Sequence, residues 1–200
     1  MKVLVIGGTG TIGRAVVTAL QSRHDVIAAG HTGGDPRVEI TSASSLRSLF
    51  RRVGALDAVV CSAGPARFGS LEQLRDEDFT FAVGHKLLGQ VGVSRAALAV
   101  LRDGGSITLT SGILAGEPVA GSSAISMVNA GVEGYARAAA LELPRNIRIN
   151  VVSPPWVRET LVARGMEPDA GLPAASVARA YVDSVEGTAT GRILDARRYD

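Results

Sequence analysis

The chain has 200 residues and a single cysteine, Cys61, which excludes an internal disulfide and a cysteine-based zinc site. No metal site is expected elsewhere. Aromatic residues make up only 4% of the chain, and tryptophan occurs once. No apolar run approaches the roughly 20 residues that a membrane helix needs, so no membrane partner is expected. The opening run Val3-Leu4-Val5-Ile6 is cut by Gly7 and lacks the cleavage region of a signal peptide, so the expectation is a cytoplasmic protein. Neither sign of charge dominates. The 21 basic and 19 acidic residues leave a net charge of +2, without the concentrated basic face that nucleic-acid binding requires. Lysine is nearly absent: Lys2 and Lys86 are the only two, so 19 of the 21 basic residues are arginine. In a chain that writes positive charge as arginine, an internal lysine needs a reason.

What is present is a globular composition, 46% hydrophobic and 20% charged. A chain of this size hides roughly 70% of its unfolded surface on folding, enough for one domain spanning residues 1–200. Short β-branched runs alternate with longer helical patterns. Strands are expected at 3–6, 26–29, 38–40, 58–61, 106–110, 147–152 and 192–194. Helices are expected at 12–22, after the cap residues 41–44, at about 78–101, at 122–143 before Pro144, and at 173–186. Ser122 and Ser123 read as caps, and His24 as an exposed residue at a helix end. Nearly all-apolar strands alternating with helices predict an α/β fold, a doubly wound parallel sheet of about seven strands in three layers.

Between the first strand and the first helix stands Gly7-Gly8-Thr9-Gly10-Thr11-Ile12-Gly13. Glycines permit a tight turn and the close approach of a pyrophosphate, and a helix N-terminus offers free N–H donors and positive potential. The loop therefore predicts a dinucleotide site; a glycine-rich turn without a ligand is the competing reading. NAD-preferring sites place an acid at the end of the second strand. Here Gly30-His31-Thr32-Gly33 has none before Asp35, and His31, Thr32 and Arg14 are placed to meet a 2′-phosphate, which favours NADP (NADPH). A plain loop role for His31 stays open.

Five blocks together resemble the short-chain dehydrogenase/reductase family over nearly the whole chain. They are the glycine loop, Cys61-Ser62-Ala63-Gly64, Gly105 to Ser111, Asn129-Ala130-Gly131-Val132-Glu133-Gly134, and Asn150 to Val157 with Thr160. The resemblance implies a Rossmann fold and a nicotinamide cofactor. It places Gly7, Thr9, Gly10, Thr11, Ile12, Gly13, His31, Thr32, Ile40, Ser62, Ala63, Gly64, Pro154, Val157 and Thr160 around that cofactor. It also implies a small-molecule substrate and a homodimer or homotetramer, paired through the helices at 78–101 and 122–143. Small residues there, including Gly89, Gly92, Ala96, Ala130, Gly131 and Gly134, would allow close approach of helices.

The family's catalytic set is Asn, Ser, Tyr and Lys, with the tyrosine donating a proton to the carbonyl oxygen. No Tyr-x-x-x-Lys occurs here. The resemblance puts Lys86 at the asparagine position, Ser111 at the serine, Ile125 at the tyrosine and Asn129 at the lysine. Lys86, Ser111 and Asn129 are therefore the candidate catalytic residues. A lysine shifts its pKa readily on burial, which arginine does not. A surface lysine at 86 and a strand-ending serine at 111 are the plain alternatives. His85 would point about 100° from Lys86 on an ideal helix, and Cys61 reads as a small buried hydrophobe. The expectation is an NADPH-dependent reductase of a small carbonyl compound with a non-standard catalytic set. An NADP(H)-binding protein without hydride transfer is the alternative.

Overall fold

The computed structural model describes residues 1–200. Its strands are β1 (Lys2–Ile6), β2 (Asp25–Ala29), β3 (Leu56–Cys61), β4 (Leu101–Thr110), β5 (Arg148–Ser153) and β6 (Ile193–Asp195). They form one all-parallel sheet in the order β2-β1-β3-β4-β5-β6. Its helices are α1 (Thr11–Leu20), α2 (Ala43–Val53), α3 (Asp76–Ala82), α4 (Gly89–Ala97), α5 (Ser123–Ala139), α6 (Arg158–Ala163) and α7 (Ala174–Glu186). No helix is long and apolar enough to cross a membrane.

Alternation along the strands divides the apolar side chains between two cores. Leu4, Ile6, Val59, Ile107 and Leu109 face Leu46, Leu49 and Phe50 of α2, Val93 of α4 and Val132 of α5. Val3, Val5, Ala58 and Val60 face Val16 and Leu20 of α1 and Val177 and Tyr181 of α7. Burying each large aliphatic side chain contributes roughly 1.5–3 kcal/mol, so this double covering, not local propensity, holds the sheet.

The sheet has six strands, not seven. Val38–Ile40 joins β2 only through one bridge, Gly30 with Arg37, and one bond from the Val38 amide to the Gly30 carbonyl at 2.9 Å. Only residues 30–37 separate β2 from Val38. A parallel neighbour needs a crossover of about a dozen residues or more, so a full strand cannot form there. Glu39 then accepts from the Thr41 amide and hydroxyl, turning the chain into α2.

The helix expected over 78–101 is three pieces. α3 and α4 are joined by a π-helical turn, Val83–Leu88. Gly104 and Gly105 lie within β4 instead of before it, in an irregular stretch where the register shifts between Leu56 and Ala58. The Gly104 amide bonds the Arg145 carbonyl, and Arg145 donates to the Leu101 carbonyl, which holds this detour in place.

Two smaller expectations also change. The Ser122 hydroxyl does not cap α5; it locks the turn from Val119 by donating to that carbonyl and accepting from that amide. The His24 side chain is only 10% exposed, because it bonds Glu186 at the end of α7 at 2.8 Å.

Beyond Cys61, β3 can no longer pair with β4, and fully buried Gln90 substitutes for a strand. Its amide donates to the Thr110 carbonyl and accepts from the Thr110 N–H, both at 2.8 Å. Gln90→Leu should strand both groups without partners and cost roughly 2–5 kcal/mol, read as a lower urea midpoint with unchanged m-value.

Candidate active site

The ligand end of the sheet is built on close backbone approach. Gly7 has φ +84°, and a Cβ there would lie 2.9 Å from the Ala63 amide nitrogen. A Cβ on Gly13 would lie 2.0 Å from the Gly7 carbonyl oxygen. The start of α1 thus rests directly on the loop after β1. The amides of Thr11, Ile12 and Gly13 have no intrahelical acceptor, and no side chain caps the helix at Gly10. These free donors, with the helix dipole behind them, form an anion cradle.

Two cavities open on either side of this cradle. The first, of about 360 Å³, is lined by Gly7, His31, Ile40, Ala63 and Gly64, joined by Glu39, Phe81 and His85. The second, of about 250 Å³, collects Ile12, Ser62, Lys86, Ser111, Asn129, Pro154, Val157 and Thr160, with Gly112, Ile125 and Trp156. Thr9 and Gly10 belong to the loop before α1 and Thr11 and Gly13 to its first turn; none of these four, nor exposed Thr32, lines either cavity.

The π-helical turn divides neighbouring residues between the two cavities. Such turns recur at functional sites because the extra residue re-aims side chains. His85 stacks on Phe81 with ring centroids 4.1 Å apart and faces the first cavity. Lys86 faces the second and is 9% exposed. Gly64 permits this placement: its φ is +122°, and a Cβ there would meet the Lys86 Cα at 2.8 Å.

Lys86 Nζ donates to the Ser111 carbonyl at 3.2 Å. Burial pushes its pKa down to about 8, against a small opposing pull from the Cys61 thiol. It is the only titratable group lining the second cavity. The Ser111 hydroxyl points elsewhere, donating to Glu133 Oε1 of α5 at 2.9 Å. The other Glu133 oxygen holds Arg137 at 3.3 Å. Asn129 is buried, with its Nδ2 at 3.5 Å from the Gly112 carbonyl and its Oδ1 left without any partner. Asn129 is one of the residues lining the second cavity, and its acceptor is one of two buried side-chain atoms left unmet.

Sequence reasoning missed Glu39, Glu133 and Gln90. Glu39 lies 3.0 Å from His31, so a carboxylate does stand at the first cavity although none occurs at 30–32. The Thr41 amide, above all, keeps Glu39 below its usual carboxylate range. Strand parity was the available signal for Ser111. Thr108 and Thr110 bond Ser184 and Tyr181 of α7, so Ser111 must turn the other way, toward α5.

Residues 12–189 match the family described as Enoyl-(Acyl carrier protein) reductase. The chain is 31% identical over 175 residues to mouse 3-oxoacyl-[acyl-carrier-protein] reductase, covering 77% of this chain and 74% of that one. The chain belongs to the short-chain dehydrogenase/reductase family. Among solved structures, the protein lin1944 from Listeria innocua is 38% identical, with TM-score 0.91 and 98% of both chains covered. A small-chain dehydrogenase solved in complex with NADPH is 27% identical, with TM-score 0.86 over 98% of this chain and 95% of that one. By fold and family the protein is a short-chain-type oxidoreductase.

The unpaired ammonium has a thermodynamic signature. The unfolded chain holds the Lys86 proton to about pH 10.5, the folded chain only to about pH 8. The folding penalty is therefore complete below about pH 8, and stability rises with pH across that window. Lys86→Met should be more stable than the parent by about 1–3 kcal/mol at pH 7. Urea titrations at pH 7 and above pH 10 check this, and the difference should close at the higher pH.

Proposed function

We propose that this protein is an NADPH-dependent reductase of a small carbonyl compound. Lys86 supplies charge or a proton at the carbonyl oxygen. The observation that carries the reading is the buried Lys86 ammonium, the one titratable group of the second cavity.

The residues present fit a dinucleotide. Gly7, Thr9, Gly10, Thr11, Ile12 and Gly13 would hold the pyrophosphate on free amides. His31, Thr32 and Ile40 would hold the adenosine end, with Arg14 near the 2′-phosphate and Glu39 fixing His31. Ala63 and Gly64 would flank the adenosine end, and Ser62 and Asn129 would meet the nicotinamide-side ribose. Pro154, Val157 and Thr160 would frame the nicotinamide. A reduced nicotinamide bound there supplies a hydride. Lys86 Nζ stabilises the negative charge that develops on the substrate oxygen. A pKa near 8 also lets it donate its proton close to neutral pH. Ile113, Leu114, Ile125 and Trp156 exclude water and suit an apolar substrate. Ser111 acts through its carbonyl, which holds Lys86 in place, because its hydroxyl is committed to Glu133.

A second reading, cofactor binding without turnover, draws on Ile125, which lines the cavity at the position where the resemblance expects a phenol. Trp156, the single tryptophan, lines the same cavity and reports binding by fluorescence. NADPH should bind more tightly than NADH, and Gly10→Asp should abolish both. Lys86→Met should keep NADPH binding and lose turnover of a carbonyl panel by roughly 10²-fold. Binding with no turnover of any carbonyl would establish the second reading, and equal affinity for NADH would remove the NADPH preference.

The proposal includes a homodimer or homotetramer formed through α4 and α5. Gly89, Gly92 and Gly131 serve internal packing, against Ile40, Leu46 and Leu87. Leu88, Met127, Ala130 and Gly134 are exposed and offer the face for a second copy. Sedimentation should show a dimer or larger at micromolar concentration, and Met127→Lys should shift it toward monomer.

A further inference from the structure

The second cavity is unbalanced in charge, and the imbalance says something about what it receives. An ammonium has three donors, and Lys86 places one on a carbonyl at 3.2 Å with no other protein partner. None of the fifteen residues lining the cavity is an acid. Lys86 joins no ion pair, whereas the exposed arginines have several. The titratable groups around it leave it unneutralised. Cys61 on β3 has a thiol that burial pushes up to about 11, so it stays protonated at neutral pH. His85 on the same turn stacks away on Phe81. Glu133 on α5 is committed to Ser111 and Arg137. The segment from Pro154 to Thr160 brings only Pro154, Pro155, Trp156, Val157 and Thr160 to the wall, none of them charged. A buried, unpaired cation is costly unless something bound supplies the opposite charge.

We propose that the substrate is an oxo acid, a small apolar carbonyl compound whose own carboxylate pairs with Lys86. This rests on the reductase reading and adds the substrate class. The volume of about 250 Å³, shared with the nicotinamide end of the cofactor, limits the body to a few carbons. Ile113, Leu114, Ile125 and Trp156 give that body an apolar wall. The free donors of Lys86 meet the carboxylate and the carbonyl oxygen together. The ammonium then acts both as anchor for the acid and as the positive charge beside the reacting oxygen.

The test needs no turnover. The full chain is titrated, with and without the oxidised nucleotide NADP+, with 4-methyl-2-oxopentanoate and with its neutral counterpart 4-methylpentan-2-one. Binding is followed by calorimetry and, without the nucleotide, by Trp156 fluorescence. At pH 6.5 the oxo acid should bind at least 10-fold more tightly than the ketone. The preference should fall at least 5-fold by pH 9.5, as Lys86 loses its proton, while ketone binding stays flat. Lys86→Met should abolish the preference, and Lys86→Arg should retain part of it. Equal binding of acid and ketone at pH 6.5 overturns the proposal. So does a preference that survives in the methionine variant, which would place the anion on another cation. Selective oxo-acid binding without reduction of any carbonyl refutes the reductase reading alone. Reduction of neutral ketones with no preference for the acid refutes this inference alone.

Discussion

Backbone contact at the carboxyl ends of β1 and β3 is the constraint on which the rest depends. At Gly7 and Gly13 the chain comes so close to itself that no Cβ fits. That closeness aims the first amides of α1 outward and brings Ala63 alongside. Gly64, one residue on, repeats the device against the turn that carries Lys86. Three glycines thus set the distance between the anion cradle and the buried ammonium, before any side-chain chemistry is considered.

The ammonium itself runs against the stability of the fold. Elsewhere the buried polar groups are satisfied: Gln90 completes a strand end, and Thr110 bonds both Cys61 and Tyr181. The exceptions are His24 Nδ1 and Asn129 Oδ1. Asn129 faces the same cavity as Lys86, so unmet hydrogen-bonding capacity gathers where ligands arrive. The other lysine makes the contrast clear. Lys2 Nζ ties down the Val53 carbonyl at the end of α2, a purely structural task. Native proteins tolerate such local cost where function needs it.

Much of this was legible in the sequence, for identifiable reasons. The parallel sheet followed from apolar strands alternating with helices, and Lys86 stood out because lysine is so rare. Resemblance then brought Lys86, Ser111 and Asn129 to one place, and the structure puts them on one cavity wall. What stayed hidden depends on pairing or direction. Val38–Ile40 has strand composition but too short a connection to reach a parallel neighbour. Ser111 has the right residue type, but its hydroxyl is taken up by Glu133, a partner that depends on the direction in which the side chain leaves the end of β4. Glu39 lies beyond the loop that follows β2, and a turn stabilised by Thr41 sets it against His31. The π-helical turn leaves no compositional trace, because Val83–Leu88 would read equally well as α-helix.

That turn has an architectural consequence. An α-helix advances about 100° per residue, so one extra residue in a turn rotates everything before it relative to everything after it. α3, with His85 at its exit, is therefore indexed to the ligand cavities. α4, with Gln90, Val93 and Ala97 buried, is indexed to the sheet. The two halves of what looks like one rod are geared separately. A single insertion or deletion within the turn would re-clock α3 and the lysine against α4.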